Sequence, residues 1–196
     1  MRYVRFALMV LLGVSVLWIS GPIEVAADRD GEKIVMKDDC DPSDLGWNAT
    51  GGCHLKKGDV TEAEFVTFLQ SPLYNNAPAG SPPQLFLVGH PSWRNEPSHI
   101  LVETGKRIHV KNEGGRNHTF TPVADFGGGR VPPLRVGTLM APECALAPGA
   151  TDRYLVAPGG KLKLKTEGEG IMRFQCCFHP WMRATVRVTP EDDHHE

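Results

Sequence analysis

Three absences narrow the class of protein that this sequence encodes. The 21 basic and 23 acidic residues give a formal net charge of only −2, which argues against nucleic acid as a partner and gives no large charge to hold the chain on a membrane surface. The longest apolar run near the start, residues 7–19, is shorter than the roughly 20 residues that a membrane span needs. After Leu69 no segment has the apolar period of a helix, so a mostly helical protein is excluded.

The first 27 residues are typical of an export signal. Two arginines precede the apolar run, and Val25-Ala26-Ala27 offers small residues at the cleavage positions. We therefore expect residues 1–27 to be a signal peptide and the mature chain, from Asp28, to be periplasmic or extracellular without a membrane span. An uncleaved membrane anchor is the alternative interpretation of the same residues.

Residues 28–97 differ in composition from the rest of the chain. Cys40 and Cys53 bracket a segment rich in turn-forming residues, which a disulfide between them would stabilise by about 3 kcal/mol. Thr61 and Glu64 have the spacing of a capping box and predict the start of a short helix. We expect this segment to be an N-terminal extension that contains the disulfide and the helix.

From residue 98 onward the sequence alternates apolar and polar residues in short segments. Ile108 and Val110 alternate with charged neighbours, as do Val186 and Val188, and glycine- or proline-rich turns separate such segments. This pattern predicts an all-β domain, a sandwich or barrel, over residues 98–190. Residues 191–196 are expected to form a disordered tail.

One short motif carries most of the chemical information. Cys176, His179 and Met182 follow one another with the spacing Cys-x2-His-x2-Met, which chance predicts only about 0.006 times in a chain with this content of Cys, His and Met. A thiolate, an imidazole and a thioether suit copper, and a site with two histidines, one cysteine and a weak axial methionine is an electron-transfer arrangement. The missing second histidine is expected to be His118.

The stretch from about Ile100 to Thr189 resembles the cupredoxins of the plastocyanin and amicyanin type. The loop from Cys176 to Met182 is similar to the short ligand loop of amicyanin. Val110-x-Asn112 followed by His118-Thr119-Phe120 is similar to the strand and loop that carry the family's first histidine. The resemblance implies a cupredoxin-like Greek-key β-sandwich that binds one type 1 copper ion through His118, Cys176, His179 and Met182.

The sequence has more cysteines than the metal site uses, and it differs from many cupredoxins in the residue after the first histidine. Cys176 is expected to be the ligand because it alone has the required spacing to His179, and the other four cysteines allow three pairings. We favour Cys144–Cys177 together with Cys40–Cys53. Many cupredoxins have asparagine directly after the first histidine, whereas this chain has Thr119, so different hydrogen bonds are expected there.

By this resemblance the protein is expected to carry single electrons between redox partners and not to be an enzyme. Partner proteins are expected to dock near His179 and Trp181, where the family exposes its loop histidine. A copper storage, delivery or sensing protein is the alternative. Multicopper enzymes typically need His-x-His pairs, which the sequence lacks, and a methionine ligand argues against structural zinc.

Overall fold

The computed structural model describes residues 31–70, 92–131 and 139–191, so the predicted signal peptide and all but the first residue of the predicted tail lie outside the described residues. Within these ranges the chain forms ten strands and one α-helix. They are β1 (Gly31–Asp38), α1 (Glu62–Gln70), β2 (Trp93–Glu96), β3 (His99–Glu103), β4 (Arg107–Asn112), β5 (His118–Thr119), β6 (Thr121–Val123), β7 (Leu155–Val156), β8 (Lys161–Lys165), β9 (Gly170–Gln175) and β10 (Arg183–Thr189).

The strands form two four-stranded sheets and one small pair. The first sheet has the order β2-β1-β4-β8, the second has the order β3-β10-β9-β6, and β5 pairs with β7. Both sheets alternate buried apolar residues with outward-facing polar ones, and the buried side chains of the two sheets form one core. Ile34 and Ile108 of the first sheet and Phe174 and Val186 of the second are each 0% exposed in that core. The predicted all-β sandwich is confirmed.

The structure differs from the expected division of the chain at residue 98. Strand β1 lies between β2 and β4, and it pairs with β4 in parallel from Gly31 to Met36. Both β1 and β2 are therefore part of the sandwich, although they fall within residues 28–97. The alternation of Ile34 and Met36 with lysines in β1 is the same two-residue pattern that predicts the later strands.

The segment between β1 and β2 is an insertion into the sandwich. The predicted Cys40–Cys53 disulfide is present, with a Cα–Cα distance of 5.9 Å. The predicted short helix is also present as α1, and its capping box forms because Thr61 and Glu64 exchange hydrogen bonds. A 3-10 helix, Leu45–Thr50, precedes α1. The prediction of one disulfide and one short helix here is confirmed.

The second predicted disulfide, Cys144–Cys177, is confirmed as well, with a Cα–Cα distance of 5.4 Å. It joins the 3-10 helix Pro142–Cys144 to the residue after Cys176. Cys176 is left as the free, buried cysteine. In the described part of the chain, no helix is long and apolar enough to cross a membrane.

Candidate metal centre

His118, Cys176 and His179 come together at one end of the sandwich. His118 is the first residue of β5, Cys176 directly follows β9, and His179 lies in the turn before β10. Their ligating atoms lie within 4.8 Å of one another. Two separate segments, the start of β5 and the turn after β9, thus bring three of the four predicted ligands together.

The spacing of these three atoms fits a small metal ion. The distances are 3.2 Å between the two Nδ1 atoms, 3.8 Å from Cys176 Sγ to His118 Nδ1, and 3.6 Å from Cys176 Sγ to His179 Nδ1. A triangle with sides of 3.2, 3.6 and 3.8 Å has a circumscribed circle of about 2.1 Å radius. Metal–nitrogen and metal–sulfur bonds in proteins are about 2.0–2.3 Å long, so an ion at the centre would be within bonding distance of all three atoms.

The fourth predicted ligand, Met182, is held in the same tight loop. Its backbone N–H donates to the carbonyl of His179 at 2.8 Å, and its carbonyl accepts from the N–H of Cys176 at 2.9 Å. The Met182 side chain is 0% exposed and belongs to the main core. These two hydrogen bonds close the loop and fix the backbone positions of Cys176, His179 and Met182.

A buried carboxylate that the sequence did not single out contacts the first histidine. Asp38, the last residue of β1, is 2% exposed, and its Oδ2 accepts a hydrogen bond from His118 Nε2 at 2.7 Å. A carboxylate can only accept here, so Nε2 carries the proton and Nδ1 is the nitrogen left to bind a metal. The apolar alternation of β1 places Asp38 on the same side of the strand as Ile34 and Met36, but it does not identify β4 as the neighbouring strand.

Charge interactions in the metal-free site are strong because Asp38, His118 and Cys176 are buried and His179 is only partly accessible. Burial lowers the pKa of His118, but the hydrogen bonds and charges of Asp38 and Cys176 outweigh burial and raise it to about 9. Burial raises the pKa of the Cys176 thiol, but both histidines hold that pKa well below its ordinary value. Burial lowers the pKa of His179. These shifts favour the thiolate form of Cys176 and the neutral form of His179, which are the forms that bind metals.

Hydrogen bonds from the neighbours of His118 hold the thiolate in place. The backbone N–H of Thr119 points to Cys176 Sγ at 3.4 Å, and the Thr119 hydroxyl accepts from the N–H of Cys177 at 2.8 Å. Asn112 spans the loop before His118, because its amide donates to the carbonyls of Arg116 and Val156 at 2.7 and 2.8 Å. Thr119 thus joins the two segments that carry the predicted ligands.

The insertion supports the same loop through two glycines. A Cβ on Gly114 would lie 2.2 Å from Asp38 Oδ2, and a Cβ on Gly115 would lie 2.6 Å from the sulfur of Cys40. The turn before His118 is therefore packed between the carboxylate and the Cys40–Cys53 disulfide, with no room for a side chain. The N–H of Gly115 also donates to Asp38 Oδ1 at 2.8 Å.

The surroundings of His179 differ from the expected exposed edge. Trp181, expected to be exposed, is 2% exposed, and its ring centroid lies 5.5 Å from that of His179. Trp93 of β2 and Phe65 of α1 also pack near His179, at centroid distances of 6.3 and 6.4 Å. The expectation that Trp181 is exposed is wrong, because Phe65 and Phe68 of the insertion pack against it, whereas partner docking near His179 stays a prediction.

His179 instead lies at the wall of a cavity. The cavity has a volume of about 520 Å³, and Trp47, Phe65, Val66 and Phe178 contribute apolar walls. The 3-10 helix of the insertion and α1 form much of its rim. His179 remains partly accessible, but through this cavity and not across an open flat surface.

Comparisons with known proteins give a consistent but distant likeness. No protein-family model and no curated protein matches the sequence. Among solved structures, the chain is similar to a purple cupredoxin from Nitrosopumilus maritimus at 16% identity, over 54% of this chain and 90% of that one, with a TM-score of 0.36.

Two amicyanin variants are also similar to this chain. One, in its reduced state, is 21% identical over 48% of this chain and 71% of its own, with a TM-score of 0.32. The other, a reduced Cu(I) form at pH 4, is 20% identical over 49% and 73%, with a TM-score of 0.33. The expected likeness to cupredoxins is thereby confirmed. Because identities and TM-scores are low, the site is judged from this chain's own residues.

Proposed function

We propose that this chain binds one copper ion through His118, Cys176, His179 and Met182 and carries single electrons. The observation that supports this most strongly is the trio of donor atoms, two imidazole nitrogens and a thiolate, at distances that fit one ion. Copper held by two histidines and a cysteine with a weak axial methionine supplies one-electron chemistry. The ligand assignment and the type 1 character of the site are part of the proposal.

The protein around the trio favours electron transfer over uptake and release of the ion. His118 is 0% exposed, Cys176 is 0% exposed, and Asp38 fixes the orientation of the first histidine. Side chains that cannot move keep their positions when the charge of the ion changes, so little rearrangement accompanies each electron. A delivery protein needs an open path for the ion, and the burial of His118 and Cys176 opposes one, although His179 is partly accessible.

Export and the absence of an enzymatic role are also proposals. The two disulfides support an oxidising compartment such as the periplasm or the extracellular space. We propose redox partner proteins that reach the ion near His179, through the rim of the cavity that the insertion forms. A copper storage, delivery or sensing protein remains the second candidate.

The visible spectrum of copper-loaded protein tests the ligand set. A thiolate bound to Cu(II) is expected to give an intense visible absorption, and Cys176→Ser should abolish it. The double variant Cys144→Ser with Cys177→Ser is the matched control, because it removes two sulfurs next to the site without removing the proposed ligand. A band that persists in Cys176→Ser, or that is lost in the control while the control stays folded, would contradict the assignment.

A further inference from the structure

The outward face of the first sheet carries an unusual concentration of positive charge. We use the name basic face for the cationic side chains that point outward from its four strands, namely Lys33, Lys37, Arg94, Arg107, Lys111, Lys161, Lys163 and Lys165. They alternate with buried residues along β1, β2 and β4 and with half-buried leucines along β8, so they share one side of the sheet.

The pairing of the strands places cations directly opposite one another. Arg107 is opposite Lys165, and Lys111 is opposite Lys161. Lys37 is opposite Arg94 on the other side of β1. Like charges directly opposite each other across strands destabilise a sheet. The stability of the sandwich therefore does not account for this arrangement.

Few acidic groups neutralise the basic face. Glu96 pairs with Lys37 and Arg94, and Glu113 pairs with Lys111. Among the residues that the structure describes, no carboxylate forms an ion pair with Lys33, Arg107 or the three lysines of β8. Because the whole chain has a formal net charge of −2, its other surfaces carry an acidic excess, and the molecule has a strong charge asymmetry.

We propose that the basic face is the docking surface for an acidic partner protein. Charge asymmetry of this kind orients two proteins before contact and speeds their association, most strongly at low salt. The outward residues of this sheet include only Val35 as an apolar side chain, and the polar imidazole of His109 is the one aromatic ring among them, so no large apolar ring is available to enter a lipid layer. An acidic protein surface therefore fits it better than a membrane.

One end of the basic face lies close to the metal centre. Lys37 precedes Asp38, and Asp38 Oδ2 is 2.7 Å from His118 Nε2. A partner bound to the basic face would therefore lie near the proposed ligand His118. It would not have to enter the cavity beside His179. The identity of this partner as an electron donor or acceptor rests on the proposed function, whereas the docking itself does not.

Binding of a poly-glutamate peptide, followed through backbone amide NMR shifts, tests the docking. Shifted amides should lie on β1, β4 and β8, and affinity should fall as NaCl rises from about 0.05 to 0.3 M. The triple variant Lys161→Glu, Lys163→Glu and Lys165→Glu should weaken binding about tenfold or more. The matched control reverses three exposed cations on other elements, namely Lys57→Glu, Arg153→Glu and Arg187→Glu, and should change affinity about twofold or less.

Several results would overturn this proposal. One is equal weakening in the two triple variants, since both change the net charge by the same amount. Another is a set of shifted amides that excludes the first sheet. A third is binding to phosphatidylcholine vesicles containing phosphatidylglycerol with no binding to the peptide, which would identify a lipid surface instead. Amide shifts do not depend on the visible copper band, so failure of docking and failure of the copper proposal are distinguishable.

Discussion

Replacing Asp38 with asparagine tests how the sandwich controls its metal centre. The Asp38 carboxylate accepts two buried hydrogen bonds, from His118 Nε2 at 2.7 Å and Gly115 N–H at 2.8 Å, and a partly buried one from Arg116 N–H at 3.0 Å. Asparagine keeps the shape but has one oxygen, so at least one of these donors loses its acceptor. An unsatisfied buried donor costs about 1–3 kcal/mol, and the remaining bonds lose their charge assistance. We expect metal-free Asp38→Asn to lose about 3 kcal/mol of unfolding free energy.

The same substitution should change the metal centre in a defined direction. Loss of an outer hydrogen-bond partner of a ligating histidine lowers metal affinity about 10–100-fold. Removal of a negative charge near the ion disfavours Cu(II) relative to Cu(I), so the reduction potential should rise. Competition with a chelator measures the affinity, and voltammetry measures the potential.

Asp39→Asn is the matched control for Asp38→Asn. It removes the same charge one residue further along the chain, from a side chain that is half-buried and makes no hydrogen bond to His118. Its copper affinity should stay within about twofold of the unmodified protein, since the outer partner of the ligand is retained. If Asp38→Asn binds copper with unchanged affinity and potential, the positioning role argued for Asp38 is wrong.

Three further predictions follow from the site. Met182→Leu nearly conserves volume in the core, so it should keep the visible band and cost less than about 1.5 kcal/mol of stability, while voltammetry should show a higher potential; an unchanged potential would exclude Met182 as a ligand. In the metal-free protein the pKa of His118 is about 9, so copper must displace its proton at neutral pH. Apparent copper affinity in competition titrations should therefore rise about tenfold per pH unit from pH 6.5 towards 9, and a flat profile would contradict this. Gly115→Ala should lower both thermal stability and copper affinity, because the added Cβ would clash with the Cys40 sulfur. Gly159→Ala is the control: its φ is +75°, but a Cβ there meets nothing within 4 Å, so it should lower stability only. Equal copper affinity in the two variants would refute a link between the disulfide and the site.

The grouping of Cys176, His179 and His118 was largely predictable from sequence because the motif that contains two of them is local. Cys176, His179 and Met182 occupy a single loop, and the backbone hydrogen bonds that close this loop depend only on residues within it. His118 was also found, because the chemistry of the motif requires a second imidazole. Using Cys176 as the ligand left four cysteines with three possible pairings, and the favoured pairing is the one present.

The place of β1 and β2 in the sandwich was not predictable in the same way. Strand β1 has the alternating pattern of a strand. However, a long turn-rich segment separates it in sequence from β2 and β4, its neighbours in the sheet. Its parallel partner β4 begins 76 residues after Gly31, at Arg107, and long-range pairing of this kind leaves no local signal. Asp38 and Trp93 therefore reach the metal centre through tertiary packing alone.

The burial of Trp181 has the same cause. An aromatic residue beside an exposed ligand is expected to lie at the surface, unless another segment covers it. Here Phe65 of α1 lies against Trp181, with ring centroids 6.0 Å apart. The helix itself was predictable from its capping box and apolar residues, but the surface on which it packs was not.

Spectroelectrochemical titration of the copper-loaded protein tests the central claim most directly. The account predicts that the visible thiolate band disappears on addition of one electron per copper ion and returns fully on reoxidation, with the ion retained throughout. Copper-loaded protein that stays colourless and resists oxidation, or that loses its ion during the cycle, would contradict an electron carrier and favour a copper storage or delivery protein.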